Sequence, residues 1–319
     1  MTRLRRVLAL ALVGLVLAGC AGRKTRPSPA AASKSPPSRT ATLPADDTSR
    51  AQSDRYHRNR DGGPDGPPID VGKIPEPVPK AEPRSRYGNR DSYSVLGRTY
   101  RVLPDSRGYV ERGIASWYGN KFHGYMTSSF EPYDMYQFSA AHKSLPLPSY
   151  ARVTNLDNGK SVIVRVNDRG PFHENRLIDL SYAAAVKIGV WPKGTGVVEV
   201  RAIDPARPNA LPPPQTAAAA PTVTPPAVKP PAVKPPGAAD KPRIYLQLGA
   251  FGDRANAERA LASARRAGLD RVGIQSTAVD GRTVHRVRVG PLADVDAADA
   301  MTARVERLGL GAPRVAIER

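Results

Sequence analysis

Cysteine is almost absent: the 319-residue chain has one, Cys20. No intrachain disulfide can form, so any fold must stand on packing alone. Aromatics are scarce at 6%, too few for a core running the whole length, and much of the chain is expected to lie outside packed domains. Five histidines and a lone cysteine show no metal-ligand spacing, so neither a metal nor a cofactor is expected. No long hydrophobic run is present. The apolar stretch 7–16 falls well short of the ~20 residues that span a bilayer. Acidic charge is also short, 29 Asp and Glu against 48 Lys and Arg, leaving +19. That excess invites a nucleic-acid reading, but its placement argues against one. Residues 109–203 carry +3 and 241–319 carry +5, so the remaining +11 lies in the leader and the connecting segments. A diffuse basic tether suits an anionic surface, membrane or wall; groove reading needs a basic face on a folded module.

What is present is strongly partitioned. Arg3, Arg5 and Arg6 precede the apolar stretch, and Leu17-Ala18-Gly19 leads into Cys20. This resembles a bacterial lipoprotein signal over 1–19, which implies cleavage before Cys20 and acylation of that residue. Ala21 rather than Asp follows it, which by the habit of such signals favours the outer membrane. Residues 20–85 are rich in Pro and Ser with few large apolar side chains and read as a disordered tether, reaching about 45 Å as a flexible coil. A second linker, 205–241, carries Ala-Pro runs and reads as semi-rigid polyproline.

The middle segment, 86–204, is organised around residues 151–180. The β-branched run 152–156 and its partner 161–166 flank Asn158-Gly159, the dipeptide of a two-residue type I′ hairpin. The second strand stops at Asn167-Asp168-Arg169-Gly170-Pro171, because Gly170 and Pro171 forbid continuation. Asp168 at that strand end is either a turn-fixing carboxylate or a reactive acid aimed into a groove. Residues 93–102 read as a small hairpin, 109–118 as a strand and 119–148 as loop with a short helical piece near 139–142. Asp179-Leu180-Ser181 caps a helix over 182–188 that ends at Gly189, and 197–203 closes the unit as a strand. Many short strands with one or two small helices in about 110 residues suggest a small closed barrel.

The last segment, 242–319, has the order βαββαβ, which gives a sheet with both helices on one face. Strand alternation then leaves Tyr245, Gln247, Arg286 and Arg288 on the open face, suited to a polar, partly anionic sugar chain.

Two resemblances follow from these residues. Gly113-Ile114-Ala115-Ser116-Trp117-Tyr118-Gly119, Phe122-His123-Gly124, Glu131-x-Tyr133-Asp134, 140–146 and the 151–180 block resemble the rare lipoprotein A family. Tyr245-x-Gln247-x-Gly249-x-Phe251 with Arg286-x-Arg288-x-Gly290-Pro291 resembles the SPOR domain. The resemblance implies an all-β double-psi β-barrel plus a separate α+β SPOR domain, joined by disordered Pro-rich linkers. It implies lytic transglycosylase activity on peptide-stripped peptidoglycan glycan strands. It further implies a periplasmic lipid anchor at the outer membrane, enrichment at the division septum, and divisome proteins or other wall hydrolases as partners. Nucleic acid is not among the expected partners.

Residues equivalent to Asp168, Glu131 and His142 form that family's functional trio. An acid working near neutrality wants a raised pKa. Arg169 is therefore expected to point toward substrate or backbone, Glu131 to lie close enough to raise Asp168, and His142 to orient a carboxyl group. Trp117 belongs to the core or stacks on sugar. Phe130 stands where the family often has Gly before the Glu, which predicts a differently shaped loop if that position needs φ > 0. The competing reading is a non-catalytic, expansin-like wall-binding protein.

Overall fold

The computed structural model describes residues 46–50, 52–66, 69–207, 241–279 and 281–318. Cys20, the first part of the tether and most of the second linker lie outside the described residues. Within them, no helix is long and apolar enough to cross a membrane.

The tether expected over 20–85 is corrected in its second half. From Asp46 onward the chain lies on the barrel. A short helix α1 (Gln52–Arg55) and a 3-10 turn (Val71–Lys73) capped by Asp70 are its regular elements among the described residues. Polar side chains hold it: Asp61 accepts from Gly119 N at 2.9 Å and Lys121 N at 3.1 Å, and Glu76 accepts from Ile163 N at 3.2 Å. Ile69, Val71 and Ile74 pack on the barrel core. With no apolar periodicity, a composition-based reading scores such a segment as disordered.

A hairpin, β1 (Ser92–Val95) and β2 (Arg98–Arg101), precedes the barrel. The barrel strands are β3 (Val110–Tyr118), β4 (Ser139–His142), β5 (Ser149–Asn155), β6 (Ser161–Asp168), β7 (Arg176–Ser181) and β8 (Gly196–Ala202). They close in the order β3-β7-β4-β6-β5-β8, with β3/β7 and β4/β6 parallel and the rest antiparallel. Alternation on β6 sends Val162, Val164 and Val166 inward, each buried and each contributing about 1.5–3 kcal/mol. Helix α2 (Tyr182–Ile188) starts at Ser181, whose side chain accepts from Ala184 N, and ends at left-handed Gly189.

Two local expectations change. Residues 139–142 form strand β4 rather than a helical piece: all four are buried and pair with β6 and β7. Tertiary pairing overrides the helix propensity of Ala140 and Ala141. The β5–β6 connection is longer than a two-residue type I′ turn. Only Gly159 has positive φ, at 73°, and its N–H donates to Asn155 O at 2.9 Å.

The C-terminal domain runs β9 (Arg243–Phe251), α3 (Arg254–Arg266), β10 (Val272–Val279), β11 (Arg282–Leu292), α4 (Val295–Arg307) and β12 (Arg314–Glu318). Its sheet order is β10-β11-β9-β12. Leu246, Ala264, Val289 and Val305 form the core between sheet and helices. Asp253 and Asp294 cap the two helices. Ile244, Val295 and Ala298 also meet Ile114, Leu156 and Val197 on the barrel wall. Beside this contact Asp299 accepts from Arg176 at 2.8 Å and Asn175 at 2.9 Å.

Candidate active site

Asp168 is the last residue of β6, and Gly170, at φ 145°, turns the chain away immediately after it. One carboxylate oxygen, Oδ1, accepts from Ser128 N at 2.8 Å, Ser128 Oγ at 2.6 Å and Arg169 N at 2.7 Å. Burial opposes these bonds and pushes the carboxyl group above the usual range. Arg169 does not neutralise it. Its guanidinium donates to Gly88 O at 2.8 Å, His142 O at 3.1 Å, Leu145 O and Asn89 Oδ1. Of the two expected directions, substrate or backbone, Arg169 takes the backbone one, and its donors are engaged there rather than offered to substrate.

A second carboxyl group shares this place, and it is Asp179 on β7. A Cβ at Gly170 would sit 3.9 Å from Asp179 Oδ2, which places Asp179 beside the turn that follows Asp168. Ser116 Oγ donates to Asp179 Oδ1. Burial, with a smaller contribution from Asp168, pushes Asp179 up to about 6. The sequence reading placed Asp179 at a helix cap. The signal it passed over is an acid between two apolar strand residues, Ile178 and Leu180, both fully buried.

Glu131 is not the neighbour that raises Asp168. It forms a bidentate pair with Arg165 at 2.6 and 3.0 Å, and Arg165 also holds Glu82. Glu131 O accepts from Thr127 N, and Thr127 Oγ1 accepts from Glu131 N, so the residue braces the loop carrying Ser128. In that loop Phe130 does adopt the left-handed region, at φ 67°, so the loop keeps its glycine-like shape despite the side chain. The residue is 49% exposed, and its ring stacks on Tyr87 at 4.6 Å.

His142 is buried at the end of β4 and orients no carboxyl group directly. Its Nδ1 accepts from Ser144 N at 3.2 Å and Leu145 N at 3.0 Å. Nε2 therefore carries the proton, and meets Tyr109 OH at 2.9 Å, which donates to Glu111 at 2.8 Å. Burial pushes its pKa down to about 3. The ring thus stays neutral and fixes the turn whose carbonyls receive Arg169. Trp117 stands outside the cleft, edge-on to Trp191 at 4.9 Å and Tyr182 at 5.9 Å.

The acids open onto a cleft of about 600 Å³. Tyr118, Thr127 and Phe172 line it from the barrel, Tyr93 from the leading hairpin, and Arg50, Arg55 and Tyr56 from the segment that wraps the barrel. Among the described residues no group of three or more His, Cys, Asp or Glu is placed to hold a metal.

On the C-terminal sheet, Arg288 lies over Tyr245 at 5.9 Å and pairs with Glu318 and Gln275. Arg288 registers with Gln247, and Arg286 with Gln275 across the other edge. Phe251 folds its ring over Gly249, where a Cβ would lie 2.8 Å from the ring.

The family described as "Lytic transglycolase" matches residues 110–202, and the "SPOR domain" family matches 240–313. The endolytic peptidoglycan transglycosylase RlpA of Pseudomonas aeruginosa (strain UCBPP-PA14) is 41% identical over 288 residues, covering 80% of this chain and 84% of that one. The protein of the same name from Vibrio cholerae is 54% identical over 155 residues, 49% of this chain and 58% of that one. A crystal structure of the RlpA SPOR domain from Pseudomonas aeruginosa aligns at 30% identity with a TM-score of 0.22, covering 24% of this chain and 97% of that one. With its barrel, its C-terminal sheet and 41% identity across most of a curated relative, the chain belongs to the RlpA family.

Proposed function

We infer that this protein is an endolytic peptidoglycan transglycosylase, cutting glycan strands with intramolecular formation of 1,6-anhydro-muramyl ends. The observation that carries the reading is Asp168 with its raised pKa beside Asp179, at the floor of an open cleft. Ser128 and the Arg169 amide fix one oxygen of Asp168, leaving the other for substrate. In its protonated form Asp168 donates to the bridging glycosidic oxygen. The same carboxylate then takes the proton of the muramyl C6 hydroxyl as that oxygen attacks the sugar carbon, so no water is consumed. Asp179, when ionised, faces the positive charge that develops at that carbon. Glu131 and His142 act as positioning residues. Glu131 holds the Ser128 loop, and His142 holds the carbonyls that receive Arg169. Tyr245, Gln247, Arg286, Arg288 and Phe251 bind glycan on the second domain and direct the enzyme to septa, while acylated Cys20 anchors it at the outer membrane.

The test is incubation of the purified protein with peptide-stripped and intact sacculi, followed by mass analysis. Anhydro-ended fragments are expected from stripped strands, with a loss of at least 100-fold in Asp168→Asn at unchanged circular dichroism. Reducing-end products, or undiminished turnover by the variant, overturn the reading.

A further inference from the structure

We propose that residues 46–50 and 52–63 form a strap that completes the cleft, and that its Arg50, together with Arg90, binds a sugar carboxylate. That group is the lactyl carboxylate a muramyl residue exposes when it carries no peptide. The proposal rests on the transglycosylase reading for its substrate.

The strap is seated by specific contacts. The carboxylate of Asp46, 3% exposed, accepts from Met126 N at 2.8 Å and from Arg55 Nε at 2.9 Å. Met126 lies two residues before Ser128, which grips Asp168. Tyr56 sets its edge against Phe122 at 4.8 Å and Tyr125 at 5.0 Å. Gly62 O accepts from Asn120 N at 2.9 Å and lies 2.1 Å from where a Gly119 Cβ would be. Only a glycine at 119 admits the strap's backbone. The family match, in contrast, begins at residue 110.

Four arginines line the cleft. Arg55 is neutralised by Asp46, and Arg169 is spent on carbonyl oxygens. Arg50 and Arg90 have no ion pair and no side-chain hydrogen bond among the described residues. Asp47, the acid nearest Arg50 along the chain, accepts from Ser49 N at 3.1 Å and Ser49 Oγ at 2.6 Å and feels Arg50 only through a weaker, longer-range attraction. Two guanidinium groups without a close ion pair thus rim a cleft walled by Tyr56, Tyr93 and Phe122. Rings suit sugar faces, and a guanidinium suits a carboxylate through paired N–H donors. A peptide joined through an amide removes that negative charge and adds bulk at the same place.

The experiment uses the full mature chain and glycan strands in two forms, with free lactyl carboxylates or with those carboxylates converted to methylamides. Kinetics are measured for the wild type and for Arg50→Ala/Arg90→Ala. Hydrogen exchange with mass analysis reads protection of residues 46–63 and 126–130, which reports on this cleft regardless of binding by the second domain. For wild type, kcat/KM is expected to be about tenfold higher on free-carboxylate strands. The double variant is expected to lose that difference through KM. Exchange protection should follow free carboxylates and vanish in the variant. Equal handling of the two strand types by wild type, or an unchanged preference and protection in the variant, overturns the proposal. Should wild type yield no anhydro ends, the transglycosylase reading falls, and the exchange measurement still decides whether the strap binds carboxylate.

Discussion

His142 and Asp179 carry opposite pH signatures, each caused by burial. An unfolded histidine protonates near 6.5, whereas folded His142 resists until about 3. Its contribution to stability is intact above pH 6.5 and is lost as pH falls toward 3, at up to about 1.4 kcal/mol per pH unit. Chemical denaturation between pH 7 and 4 should show this slope in wild type and a shallower one in His142→Gln. Asp179 works the other way. Its folded pKa, near 6, exceeds the ordinary aspartate value of 3.8, so its contribution is full below 3.8 and is lost as pH rises through 6. Asp179→Asn should therefore gain up to about 3 kcal/mol at pH 7 while losing most of its turnover. A variant that is more stable and less active marks a group kept for chemistry.

At the scale of elements, the sequence disclosed the scaffold better than its fittings. The βαββαβ order, the Ser181 cap and the β5–β6 pairing all follow from local periodicity and capping chemistry. Asp168 was visible because Gly170 and Pro171 announce a strand end. Strand β4 was not, because Ala-Ala prefers helix until partners on both sides claim it. The strap was hidden for a related reason, since its contacts are backbone and carboxylate bonds to residues 58 and 60 positions away. Asp179 needed the parallel β3/β7 pairing to be seen beside Ser116. The first Gly of the strap's contact shows what local reading misses: Gly119 lacks a side chain because another segment's backbone occupies the space. Gly119→Ala should displace the strap without unfolding the barrel. The expected result is near-wild-type denaturation, faster proteolysis ahead of residue 66 and at least tenfold lower kcat/KM.

For the whole molecule, the contact between barrel and sheet domain is part apolar and part polar. Ile114, Leu156 and Val197 on one side meet Ile244, Val295 and Ala298 on the other. Asp299 is the polar pin, gathering Arg176 and a buried Asn175. Removing it takes the ion pair from Arg176 and leaves Asn175 with Thr302 Oγ1, at 2.9 Å, as its acceptor on α4, at a cost of about 1 kcal/mol. Asp299→Ala should therefore weaken the coupling of the two domains, seen in calorimetry as one transition separating into two.

The strap also bears on where the working unit begins. A fragment trimmed to residues 110–202 would keep every barrel strand and both acids, yet strip the cover from Phe122 and Tyr125 and leave the backbone donors of Gly119, Asn120 and Met126 without their acceptors. Such a fragment would present a sticky aromatic shoulder to its neighbours and clump in concentrated solution, whereas one cut just ahead of Asp46 should stay dispersed.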